Sequence, residues 1–322
     1  MVIPRLIKLF TASAFMLATL GAQAQQGAAA VDSQRLLNAD AETGQWLGYG
    51  RTYSEQRFSP LDQINENNIS ELGLAFYVDL PTNQNVESTP LMIDGVLYLT
   101  LPWSQVQAMD ARTGEVLWHY DPKVPGDWNI NVCCGLDNRG AAAFNGKIIF
   151  GTLDGRLIAL DARTGTEVWS IKSTPDGRYS ITGAPRVANG KVFIGSAGGE
   201  FDVRGYLDAY DADTGAFLWR FWTVPGDPAL GFENDAMAMA AETWITPGWW
   251  DKGPGGTVWD AITYDPQTDL VIFGTGNGAP WDAVERDSGG GDNLFLSSII
   301  AVHASDGSYA WHYQETPWET WD

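Results

Sequence analysis

Short apolar runs punctuated by Gly, Asn and Asp recur along the chain with the period of two that belongs to β-strands. GKIIFGTLDGRLIAL (146–160) and GKVFIGSAGGEFDVRGYLDAY (190–210) show it most clearly, and each predicts strands joined by a hairpin. After such runs comes a repeated element: AMDARTGEVLW (108–118), ALDARTGTEVW (159–169), AYDADTGAFLW (209–219) and a drifted fourth copy, AVHASDGSYAW (301–311). In D-x-x-T-G, Asp and Thr can hydrogen-bond the turn backbone while Gly takes the left-handed position, so the chain turns tightly into a last strand ending in Trp. Successive Trp residues lie 51, 50 and 92 positions apart. Four strands per repeat of this length describe a propeller blade, with the Trp packed between neighbouring blades. The expected fold is therefore all-β, a β-propeller of which about four blades lie in this chain. The long third interval holds extra sequence, 223–260, with a helix expected from Asn234 to Thr243; insertions of this kind decorate one face of a propeller.

Composition agrees with many turns and aromatic packing: 36 Gly, 16 Pro and 15 Trp in 322 residues. Residues 1–24 read as an export leader, with Arg5 and Lys8, an apolar run from Leu9 to Leu20 and the small-residue site Ala22-Gln23-Ala24. That run is shorter than the roughly 20 residues a spanning helix needs, and no integral membrane segment is expected once the leader is removed. Residues 25–322 are then the mature part, expected in the periplasm and read as the N-terminal portion of a longer propeller. Losing Arg5 and Lys8 takes the net charge from −21 to −23, which disfavours nucleic acid and anionic lipid as partners. Such a surface suits a basic redox protein, although solubility or a saline habitat explains it equally well.

Cys133 and Cys134 are the only cysteines, adjacent within CCGLDNRG. Two ordinary buried thiols are one reading. The other is a disulfide between neighbours, which closes an eight-membered ring, strains the intervening peptide and so points to a site; export makes that bond chemically permitted. A zinc-type pair lacks the required spacing and partners.

Taken in order, the Trp repeats, the vicinal cysteines, NRGAA, ITGAPRVANGKVFIG, GGEFDVRGYLDAYD, GGTVWDAITYDP, GTGNGAPW, GGDNLFLSSI and WHYQETPWETWD resemble the pyrroloquinoline quinone (PQQ)-dependent alcohol dehydrogenases over nearly all of the mature chain. The resemblance implies an eight-bladed propeller with PQQ and Ca²⁺ or a lanthanide on its axis. PQQ is a flat, tricarboxylated orthoquinone, and its site needs planar walls, cationic or hydroxyl groups at the rim and a Lewis acid at the quinone oxygen. By resemblance the Cys133–Cys134 disulfide is one wall and Trp259 the other, with Arg139, Thr182, Thr257 and Glu87 around the rim. Ala197 stands where some members carry a binding serine, leaving backbone amides at Gly198 and Gly199. Glu200, Asn277 and Asp322 match the metal ligands, and Asp322 also matches the catalytic base. ETPWETWD and LFLSSI look closer to the ethanol or quinohaemoprotein branch than to the methanol branch. The implied reaction oxidises a small alcohol to an aldehyde and passes electrons to a c-type cytochrome or similar acceptor. Haem c is implied only in a further C-terminal domain, since no C-x-x-C-H occurs in these residues. A non-catalytic periplasmic scaffold propeller of the outer-membrane assembly type is the alternative; it explains the blades, gives the cysteines and the polar set no purpose, and calls for a lipobox cysteine that Ala24-Gln25 does not supply.

Overall fold

The computed structural model describes residues 29–320. The leader reading and Asp322 both lie outside the described residues. Four four-stranded antiparallel sheets follow one another along the chain, as the repeats predict. The first contains β1 (Leu91–Ile93), β2 (Val96–Leu101), β3 (Gln105–Asp110) and β4 (Val116–Tyr120). The second contains β5 (Ala142–Phe144), β6 (Lys147–Gly151), β7 (Arg156–Asp161) and β8 (Glu167–Lys172). In the third, β9 (Arg186–Ala188) and β10 (Lys191–Gly195) are separated by β11 (Val203–Arg204) from β12 (Tyr206–Asp211) and β13 (Phe217–Trp222). β14 (Pro254–Gly255) precedes the fourth sheet, β15 (Ile262–Asp265), β16 (Leu270–Gly274), β17 (Ser298–His303) and β18 (Tyr309–Gln314). All four sheets carry a register shift at the same repeat position, Ala108/Met109, Ala159/Leu160, Ala209/Tyr210 and Ala301/Val302.

The burial pattern departs from simple alternation, and the reason is blade stacking. Ile148–Gly151 and Leu157–Leu160 are buried without a break, because both faces of an inner strand are covered by neighbouring blades. The outer strand β4 is mostly exposed, with Trp118 its one buried residue.

The Trp of each of the first three repeats docks on the following blade. The Trp118 indole N–H donates to Ala162 O at 3.0 Å, and Trp219 donates likewise to Ala304 O at 3.3 Å. Gly165 has φ +71°, and a Cβ there would meet Trp118 ring carbons at 2.7 Å, so backbone conformation and clearance both demand Gly. Asp161 Oδ1 accepts the Thr164 hydroxyl at 2.8 Å and the backbone N–H groups of Thr164 and Arg163 at 2.8 and 3.1 Å, which hold the turn and, against the opposing effect of burial, lower the Asp161 pKa. Trp311, in the fourth blade, is 39% exposed.

Helix α1 (Ser33–Leu37) is capped by Asp32, whose Oδ1 accepts the Arg35 N–H at 2.8 Å. Within the insertion, the expected helix forms as α2 (Asp235–Ala241), started by Asn234 Oδ1 accepting the Met237 N–H at 3.0 Å. It buries Ala236, Met237 and Ala240. The insertion then returns through a parallel pairing of β14 with β11, which delivers Thr257 and Trp259 to the entrance of the fourth blade. A last short helix, α3 (Ala283–Arg286), lies between β16 and β17. Among the described residues no helix is long and apolar enough to cross a membrane.

Candidate active site

In an antiparallel blade the first strand leaves from the same end to which the second returns. Residues entering first strands and residues leaving second strands therefore gather at one end of the propeller. Glu87, Arg139, Thr182, Thr257 and Trp259 precede β1, β5, β9 and β15; Gly198, Gly199 and Glu200 follow β10, and Asn277 follows β16. The entry loops are stitched across blades by backbone bonds: Thr89 N–H to Arg139 O and Arg139 N–H to Thr182 O, both 2.9 Å.

Cys133, Cys134, Asp137, Arg139, Thr182, Ala197, Gly198, Glu200, Thr257 and Trp259 line one cleft that is open to solvent. The sulfurs of the vicinal pair Cys133 and Cys134 stand together at its edge. The Arg139 guanidinium stands 5.1 Å from the Trp259 ring centroid, and Arg139 Nη2 is 3.1 Å from Glu87 Oε2. Trp259 is 41% exposed, leaving much of its surface uncovered. Glu87 reaches the cleft through its ion pair with Arg139 rather than by lining it. Gly199 and Asn277 border it from the far side of Thr257: a Cβ on Gly199 would fall 3.3 Å from Thr257 Oγ1 and 3.4 Å from Asn277 Oδ1. Glycine thus keeps open the space between a hydroxyl and an amide oxygen.

Two further residues belong here that the motif reading did not single out. Asp137 is buried against the cleft, and burial, reinforced by the Glu87 charge and opposed by Arg139, raises its pKa above 3.8. Its neighbour Asn138 braces the loop, donating from Nδ2 to Gly151 O at 2.8 Å and accepting the Gly140 N–H at 3.1 Å. Both lie inside CCGLDNRG, and their place between the cysteines and Arg139 was the available signal.

The donor chemistry fits a flat polyanion. One guanidinium, two buried threonines and an open glycine turn surround a cleft bordered by an indole and a sulfur pair, while Glu200 and Asn277 offer the hard oxygens a Ca²⁺ or lanthanide ion takes. Among the described residues no cluster of three or more His, Cys, Asp or Glu stands ready to hold a metal.

The fold and cleft together define a cofactor-binding propeller. Residues 46–322 match the family described as PQQ: glucose/ethanol/alcohol dehydrogenase, β-propeller domain, and the chain belongs to that family. It is 53% identical over 296 residues to quinohemoprotein alcohol dehydrogenase ADH IIB of Pseudomonas putida, covering 92% of this chain and 43% of that protein. The crystal structure of quinohemoprotein alcohol dehydrogenase from Comamonas testosteroni superposes with a TM-score of 0.91 at 47% identity, covering 94% of this chain and 45% of that one. A europium-containing methanol dehydrogenase is more distant, at 36% identity and a TM-score of 0.81, covering 90% of this chain and 52% of that one. The chain spans less than half the length of the two quinohemoproteins.

Proposed function

We propose that this chain is the cofactor-holding part of a PQQ-dependent alcohol dehydrogenase, oxidising small alcohols to aldehydes. The observation that carries the reading is the convergence of the cysteine pair, Arg139, Thr182, Thr257 and Trp259 on a single cleft in a member of this family. When bound, PQQ supplies the two-electron sink for the oxidation. Arg139 binds and orients a quinone oxygen through its planar guanidinium, which can donate to two acceptors at once. Thr182, Thr257 and the amides of Gly198 and Gly199 hold carboxylates; Trp259 and a Cys133–Cys134 disulfide bracket the ring and exclude water. Glu200, Asn277 and Asp322 ligate Ca²⁺ or a lanthanide, and Asp322 accepts the proton of the substrate hydroxyl.

Greater likeness to the quinohemoproteins than to the methanol dehydrogenase supports ethanol-type substrates, a c-type cytochrome acceptor and haem c in a further domain. Residues 1–24 are proposed to be a cleavable leader, with 25–322 in the periplasm. The scaffold alternative gives the cleft no role. The test is reconstitution of the full-length protein with PQQ and Ca²⁺ or a light lanthanide, followed by alcohol-dependent reduction of an artificial dye. Failure to bind PQQ with either metal would sink the proposal.

A further inference from the structure

Beneath the border of the cleft lies a buried ion pair with no role in the scheme above. Arg286 and Glu319 have side chains only 1% and 2% exposed, with Nη1 and Oε1 3.4 Å apart. The same Glu319 oxygen accepts the Gly278 N–H at 2.6 Å, and Gly278 directly follows Asn277. Arg286 binds both sides of the joint: Nη1 donates to Pro280 O at 2.7 Å, Nη2 donates to the Glu319 carbonyl, and Nε donates to Asn293 Oδ1 at 3.2 Å. Two stretches 41 positions apart, the loop bearing Asn277 and the stretch at Glu319, are thus fastened at one point. Burying a charged pair is costly unless every donor and acceptor is used, and a hydrophobic contact would hold two loops as well. What the pair adds is direction, because a carboxylate fixes the peptide N–H it accepts.

We infer that Glu319 is a positioning residue for the metal site, its carboxylate fixing the Asn277–Gly278 backbone so that the Asn277 amide oxygen keeps one placement. This rests on the quinoprotein reading above. Outer-shell partners of metal ligands commonly change affinity 10–100-fold when lost.

The test uses two variants that break different halves of the contact. Glu319→Gln keeps an oxygen of the right reach for the Gly278 N–H but discharges the pair with Arg286. Glu319→Asp keeps the charge but falls one methylene short of the N–H. Ca²⁺ is titrated calorimetrically into metal-free, PQQ-loaded full-length protein, and thermal unfolding is followed in parallel. The expected result is a crossed pattern: Glu319→Asp weakens Ca²⁺ binding about 10-fold or more, whereas Glu319→Gln stays near wild type for Ca²⁺ despite a lower Tm. Equal affinity in all three proteins overturns the inference, as does a loss that simply follows Tm. A wild type that takes up no PQQ or no Ca²⁺ fails the proposed function, and the inference falls with it.

Discussion

Trp259 sits in a loop rather than a core, with 41% of its surface free, so its indole contributes more to whatever occupies the cleft than to folding. Trp259→Ala is expected to weaken PQQ binding about tenfold or more, corresponding to roughly 1.4 kcal/mol of lost stacking and burial. Trp259→Phe should recover part of it, and Tm should move little in either variant; fluorescence titration with PQQ against differential scanning calorimetry separates the two effects. Asp137 is the opposite case, a buried carboxyl whose raised pKa works against stability. Its folded-state pKa exceeds the unfolded value, so its contribution is fully present below the unfolded pKa and is lost as pH rises through the folded one. Asp137→Asn should therefore raise neutral-pH stability and flatten the acid side of the stability profile above pH 3.8. Denaturant midpoints measured from pH 3 to 7 check this, and a variant less stable at pH 7 would contradict it. Arg139 and Trp259 were legible because their local motifs are distinctive. Asp137 was not, because an Asp beside an Asn in a loop has the composition of a turn, and burial is a tertiary property.

Blade-to-blade docking concentrates stability in a few contacts at fixed repeat positions. Trp118 is almost fully buried, donates to Ala162 O and covers Gly165. Trp118→Ala should cost about 3–5 kcal/mol, as large aromatic truncations in cores do. Gly165→Ala should cost more than about 1 kcal/mol, because it combines a positive φ with a clash on the Trp118 ring. Because the two residues touch, the double variant should lose less than the sum of the singles; additive losses in chemical denaturation would show that they do not interact. The repeat spacing revealed these elements because D-x-x-T-G and Trp carry their own turn and packing chemistry. α2 was legible for the same reason, through Asn234 and the apolar face behind it. The pairing of β11 with β14 was invisible: two residues on each side, about fifty positions apart, have no periodicity to read. The unbroken burial of β6 and β7 likewise follows from neighbouring blades, which local alternation cannot encode.

At the scale of the whole molecule, the dominant physical property is charge. A net −21 over 322 residues creates a field that reaches beyond any one contact and steers cations toward the protein. If the proposed acceptor is a basic cytochrome, encounter rather than chemistry is what this field accelerates, by about 10-fold to 10³-fold at low salt. The field is screened over a Debye length that shrinks from about 30 Å at 0.01 M to about 8 Å at 0.15 M. Between those salt concentrations, reduction of a cationic cytochrome c by the alcohol-fed enzyme should therefore slow by about tenfold or more, while reduction of an uncharged dye should stay nearly constant. The dye serves as the internal control because it uses the same cofactor cleft without the long-range attraction. Parallel losses for both acceptors would locate the salt effect at Arg139, Glu87 and the other charges of the cleft, and would leave the acidic surface with the simpler role of keeping the protein soluble.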